Sequence, residues 1–399
     1  RLVFSALAAY KVFMGVMSGL LYLDYYEGGD MLHYADDLAY LYRLFFDEPS
    51  AYFSCLSGSY VPEGLHYAGQ ERALFFVKAV SPLAIFSLGN FWLVSAGLSL
   101  LCFVAAYLLS AQLSVRLDIP FALPLFALLI YPSVAFWSSG LLKESLSLAI
   151  IYAILYLVLE WRRDYPLHAH IGRAVLFLVF GWLLWQLKYY YAAVLLPLLP
   201  VMVLAGRPHQ HKKTLPASAK SYFWLVLLLP LLTALPFFLH PNLRADRLLE
   251  AIVLNHDLTM AASDEGDAIV FEGLKPTMSS FLRHWPEAVF SGLFRPLPWE
   301  ARNLPQAIAG LENALLLLIC LLALWRVFSG SFKIHHPRLL FISLLYICSL
   351  AGLLALASPN FGSLLRYRVA YAPFFALLCL LPLRSWICSL STSQSRKTT

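Results

Sequence analysis

A run of polar residues, Asp24, Glu27, Asp30, His33, Asp36 and Asp37, directly follows an apolar stretch at 2–23. Carboxylates placed where a membrane span meets water can act as a general base, or as cation ligands, on a lipid-borne substrate. Gly28 and Gly29 let the backbone turn tightly at that point. A helix opening at Asp30 would be capped by that carboxylate, with His33 one turn further on. Capping alone could account for Asp30, but Asp24, Asp30, His33, Asp36 and Asp37 together exceed what a cap needs. Asp36 and Asp37 read as the solvated face of the same helix.

Other segments carry candidate groups. Around Pro132, a proline ends one apolar span, a short polar turn follows, and the next span opens on Lys143-Glu144. This reads either as a neutral Lys-Glu neighbour pair anchoring a helix end, or as Glu144 turned to a cavity near Asp30. Arg366, Tyr367 and Arg368 lie at the mouth of the last span. A planar guanidinium can give two hydrogen bonds at once to a lipid phosphate, and Arg and Tyr also serve as interface anchors. Lys188, ahead of Tyr189, Tyr190 and Tyr191, is a second phosphate candidate in what reads as an aromatic anchor. Arg295 sits in a basic-aromatic stretch with Arg283, His284, Trp299 and Arg302, a composition that suits both a sugar-phosphate contact and an interfacial helix.

The elements that must position these groups are apolar. The 399 residues are 60% hydrophobic and 13% charged, too little charge to cover a soluble protein of this length. The apolar runs are continuous rather than alternating, which predicts an all-α polytopic membrane protein and disfavours a β-barrel. About ten spans of ~20 residues or fewer are expected, at 2–23, 91–112, 120–133, 144–160, 174–187, 192–205, 222–239, 308–325, 339–357 and 369–383. The connections at Arg116, at Arg162, Arg163 and Arg173, at Arg207, Lys212, Lys213 and Lys220, and at Arg326, Lys333 and Arg338 are basic, as is the end of the chain. Basic loops stay cytoplasmic, so both termini are expected inside and the long loops 24–90 and 240–306 outside. Within those loops, 30–46 and 71–88 have the spacing of amphipathic, interfacial helices. Three regions follow: an N-terminal module 1–240 with the first outer loop, a second outer loop 241–306, and C-terminal spans with a basic tail, 307–399. The first apolar stretch carries Lys11 and lacks a small-residue cleavage site after it, so it is expected to be retained as a span. Six scattered cysteines without C-x-x-C spacing support neither a disulfide framework nor a zinc site. The net charge of +6 is a topology signal and not a nucleic-acid footprint.

Two of these segments carry a resemblance. Asp30, after a glycine pair and the first span, and Pro132, Phe136, Glu144, Ser145 and Leu146 in the second outer segment resemble the GT-C superfamily of membrane glycosyltransferases. The resemblance covers the first ~160 residues best, and its motifs are short. It departs from the family at Lys143, where many members have an uncharged residue. The resemblance implies a polyprenyl-phosphate sugar as donor and Asp30 as catalytic base. Glu144 or His33 would position the acceptor or a divalent cation; no metal motif is visible.

The leading expectation is an inverting glycosyltransferase at the outer face of a bacterial inner membrane, serving cell-envelope polysaccharide synthesis. Its partners would be the lipid-linked donor, a glycan, lipid or protein acceptor, and membrane lipids. Arg366 and Arg368, with Tyr367, Lys188, Lys143 and Arg295, form the substrate-binding set. A polymerase joining lipid-pyrophosphate oligosaccharides uses the same features with a different donor. A lipid or solute transporter would show ionisable groups buried mid-span, which the sequence offers only at Lys11 and Glu312.

Overall fold

The computed structural model describes residues 2–161, 165–204, 245–333 and 337–386. The expected span at 222–239, the basic residues Arg162, Arg163, Arg207, Lys212, Lys213 and Lys220, and the C-terminal tail lie outside them. Among the described residues there is no strand, only an isolated antiparallel bridge between Ala268 and Asn360. The chain is all-α.

The helices are α1 (Leu2–Leu20), α2 (Asp30–Asp47), α3 (Pro49–Ser57), α4 (Glu71–Phe86), α5 (Phe91–Leu117), α6 (Ala122–Leu125), α7 (Pro132–Trp137), α8 (Lys143–Glu160) and α9 (Leu167–Leu204). They continue with α10 (Ala245–Ala261), α11 (Met278–Phe294), α12 (Leu304–Phe328), α13 (Pro337–Ala357), α14 (Phe361–Tyr367) and α15 (Ala372–Leu380). Among the described residues, five helical segments are long and apolar enough to cross a bilayer: Leu2–Tyr25, Phe91–Leu117, Leu167–Met202, Leu304–Phe328 and Pro337–Ala357. A sixth is present if the pair Phe361–Ala370 and Ala372–Trp386, bent by 68°, is one span. This is a membrane-protein architecture, with fewer full-length spans among the described residues than the hydropathy pattern predicts.

The difference has local causes. The expected span at 120–133 carries Pro120, Pro124 and Pro132. It forms α6, a widened π turn at Phe126–Ile130 and then α7, because proline cannot donate within a helix. The spans expected at 174–187 and 192–205 join in α9, whose backbone leaves the helical range at Lys188 (φ −147°, ψ 80°). Its 38 residues would extend ~57 Å as a straight rod, against a ~30 Å hydrocarbon core. The break divides it into two legs at the Lys-Tyr-Tyr-Tyr sequence. Helix α8 keeps its place but opens on two charged residues and ends on Glu160.

The chain divides into two compact units. One comprises Arg1–Leu109 and Val134–Ala192, the other Ser110–Ser133 and Ala193–Thr399. In the first, α1 buries a narrow face made of Lys11, Gly15, Ser18 and Gly19, while Leu2, Val3, Phe4, Phe13 and Val16 are exposed. In water this arrangement would be inside out. In lipid, bulk faces the tails and small residues let helices approach. Gly15 lies against Ser99 of α5 and the backbone of Gly140, and Gly19 against Trp92. In the second unit, α12 likewise buries Gln306, Ala309, Gly310 and Asn313 and exposes Leu304, Ile308, Leu311, Leu315 and Leu318. Helices α11 and α13 touch through paired glycines, Gly292 against the backbone of Ala351 and Gly352 under the Trp285 ring.

A Cβ at position 15 would fall 2.6 Å from Ser99 Oγ, which accepts from Gly140 N–H at 2.9 Å and donates to Ser95 O at 2.8 Å. Gly15→Ala is therefore expected to lower stability by about 1–3 kcal/mol. Gly172→Ala, where nothing lies within 4 Å, is expected to be neutral or mildly stabilising. Thermal unfolding in detergent compares the two, and equal behaviour would reject the close α1–α5 contact.

Candidate functional site

The segment that follows the first apolar helix is built on α2. Gly29, at φ +98°, makes the turn out of α1 and holds the cap position. Asp30 is thus the first residue of α2, at the positive end of the helix dipole, rather than its cap. The Tyr67 hydroxyl donates to Asp30 Oδ1 at 3.0 Å. Burial, with the Asp30 carboxylate beside it, pushes the Tyr67 hydroxyl far up, so it remains a donor throughout the physiological range. His33 stacks on His66, with ring centroids 4.8 Å apart and planes 10° from parallel.

Asp37 corrects the sequence reading. It is 1% exposed, not solvated, and accepts the backbone N–H groups of His66 and Tyr67 at 2.7 and 3.2 Å. Burial pushes its carboxyl up, and those two donors partly offset the effect. Asp37 therefore fixes the strip of loop that carries Tyr67 toward Asp30. Asp36 does remain on the surface, 3.5 Å from His66 Nε2.

Lys143 and Glu144, adjacent in sequence, diverge. Lys143 Nζ lies 5.5 Å from the centre of the Tyr34 ring, and Tyr34 packs on Tyr67 at 4.8 Å. Glu144 turns inward and pairs with Lys188, Oε1 to Nζ 2.6 Å, both side chains nearly fully buried. The neutralising partner of Glu144 is thus Lys188 and not its neighbour. Lys188 sits at the α9 break among Tyr190 and Tyr191, 5.8 and 5.2 Å from their ring centres. Lys11 is fully buried in the same unit, donating to Ala135 O at 3.1 Å and Ser138 Oγ at 2.5 Å.

The second unit holds the arginines. Asn360 caps α14 by accepting from Ser363 N–H at 3.1 Å. Arg366 lies over the ring of Tyr367, 5.2 Å from its centre. Arg368, in the following turn, is 2% exposed. Its Nη2 donates to Ser133 Oγ at 3.1 Å and lies 3.6 Å from Glu312 Oε1. Glu312 Oε2 in turn accepts from Ser133 N–H at 2.9 Å. Nε and Nη1 of Arg368 meet no acceptor among the described residues. Arg295 is tied to Glu300, Nη2 to Oε1 2.5 Å, and rests 5.6 Å from the centre of the Phe361 ring at the start of α14.

Of the residues singled out in the sequence, Asp30, His33, Lys143, Glu144 and Lys188 belong to the first unit, and Arg295, Arg366, Tyr367 and Arg368 to the second. Tyr67, His66 and Ser133 were not anticipated, and Asp37 was expected on a solvated face. Their partners lie between 29 and 235 positions away, so no local pattern marks them. Among the described residues no group of three or more His, Cys, Asp or Glu side chains could hold a metal ion. Comparison with protein-family models, curated proteins and solved structures finds no match to this chain.

Removing one member of a buried ion pair leaves a charge in an apolar site. Glu144→Gln is expected to cost about 3–5 kcal/mol, and the double variant Glu144→Gln with Lys188→Met to recover most of it. Denaturation of the single and double variants measures the coupling; additive losses would show that the pair does not form.

Proposed function

We propose that this chain is an integral membrane glycosyltransferase of GT-C type, crossing the bilayer about ten times. It transfers a sugar from a polyprenyl-phosphate donor to an acceptor hydroxyl at the outer face of a bacterial inner membrane. The observation that carries this reading is the setting of Asp30. It opens α2 just past the end of the first span, and a hydroxyl that stays protonated holds one of its oxygens.

In the proposed reaction the acceptor oxygen attacks the anomeric carbon and its proton passes to Asp30. The bond from that carbon to the phosphate oxygen breaks, and the lipid phosphate leaves with the electron pair. A carboxylate base contributes by taking the proton as the new bond forms. Tyr67 holds the Asp30 carboxylate by its hydrogen bond. In the second unit, taken by itself, Arg368 has two nitrogens without an acceptor among the described residues, a donor set suited to a phosphate. Arg366 and Tyr367 stand on the same segment. Glu144 and Lys188, each answered by the other, act as positioning residues.

A carrier of lipid or solute is the second reading. It is favoured by the buried charges Lys11, Glu144, Lys188 and Arg368, more than the sequence pattern led one to expect. Purified protein in vesicles, given polyprenyl-phosphate sugars, separates the two by release of polyprenyl phosphate. Asp30→Asn is expected to lower that release by about 10²–10⁴-fold while leaving the unfolding transition unchanged. Undiminished release would remove Asp30 as the base. Consumption of lipid-pyrophosphate oligosaccharides alone would favour a polymerase, and movement of lipid or solute without turnover would favour the carrier.

A further inference from the structure

A buried cation with no anionic partner among the described residues lies at the other end of α12 from its Asn303 cap. Arg326, in the last turn of that helix, is 8% exposed. Neither Nε nor Nη1 meets an acceptor among the described residues, and Nη2 reaches only Ser331 O at 3.5 Å. Arginine does not lose its charge in a protein, so burial alone does not neutralise it. Donors buried without acceptors are disfavoured strongly enough that a partner is called for.

The surroundings specify what kind. The Trp386 ring lies 4.6 Å from the Arg326 guanidinium carbon, and Trp325 lies 6.1 Å from Trp386 between ring centres. Arg384 lies 5.9 Å from the centre of the Phe332 ring. Lys333 is exposed on the same connection, where Ser329 and Ser331 share a hydrogen bond of 2.9 Å. Leu321, Leu324, Trp325 and Phe328 are exposed around this end of the helix. Indole rings gather at the level of lipid headgroups, and basic groups between helices on the cytoplasmic side hold anionic headgroups. A free ion would gain nothing from the apolar rim, whereas the acyl chains of a lipid would cover it.

We propose that Arg326, assisted by Arg384 and Lys333, binds the phosphodiester of an anionic phospholipid at the cytoplasmic end of α12. The site is separate from the groups assigned to glycosyl transfer and does not depend on that assignment.

The test uses the full chain in mixed micelles containing phosphatidylglycerol, phosphatidylcholine or inorganic phosphate, read by thermal unfolding and by lipid retained in native mass spectrometry. Phosphatidylglycerol is expected to raise the transition and to be retained; the other two are not. Arg326→Gln is expected to weaken phosphatidylglycerol retention about fivefold or more, and Arg384→Gln to weaken it less. Arg43→Gln, on the first outer loop, should leave it unchanged. If Arg326→Gln does not fold, Trp386→Ala and Arg384→Gln, both at accessible positions, carry the test. Equal retention of the two lipids, or full retention in the variants that fold, overturns the proposal. An effect of inorganic phosphate equal to that of phosphatidylglycerol assigns the guanidinium to a free anion and overturns the lipid.

Discussion

A charge taken away from water has to be answered by another polar group, and this requirement organises the apolar part of the molecule. Lys11 is answered by a carbonyl and a hydroxyl, Glu144 by Lys188, and Arg368 by Ser133 and Glu312. In each case the answer comes at a place where a helix is interrupted. Ala135 O belongs to the last turn of α7, where carbonyls lack partners within the helix. Ser133 N–H belongs to its first turn, where amides lack them. Lys188 occupies the break in α9, and Arg368 the turn that follows α14. Non-helical backbone at membrane depth is tolerated where protein surrounds it. The interruptions of the helices thus supply the polar groups that stabilise buried charge.

The same solvent explains which faces are buried. In α1 and α12 most residues turned inward are small or polar, and most of the large apolar ones look outward, Leu316 being an exception. Association in lipid draws little from hiding apolar surface, because the tails are as apolar as leucine. Close approach and hydrogen bonding take its place, which is why Gly15, Gly19, Gly292 and Gly352 each face a neighbouring helix.

Much of this was legible in the chain, and the illegible part has a common cause. Continuous apolar runs announced the long helices, and a lysine followed by three tyrosines marked the break in α9. Gly28 and Gly29 marked the turn before Asp30. The third expected span, already short, is divided further because three prolines fall within it. The role of Asp37 could not be read, since its donors are 29 and 30 positions away and an acidic residue on an amphipathic helix usually faces water. Glu144 stood next to an obvious lysine and chose another one 44 positions on. Sequence neighbours predict where a helix begins; they do not say which side chains will meet once the helices are stacked.

One small feature links the segment between α10 and α11 to the arginine segment. Ile269 N–H donates to Pro359 O at 3.0 Å, and Phe361 N–H donates to Asp267 O at 2.9 Å. Asn360 Nδ2 adds a bond to Ser263 Oγ, and Gln306 holds Asp267. These ties grip the chain just ahead of the helix bearing Arg366. The stretch near Asp267 thus anchors the start of α14, and displacing it would displace the first turn of the helix that carries Arg366.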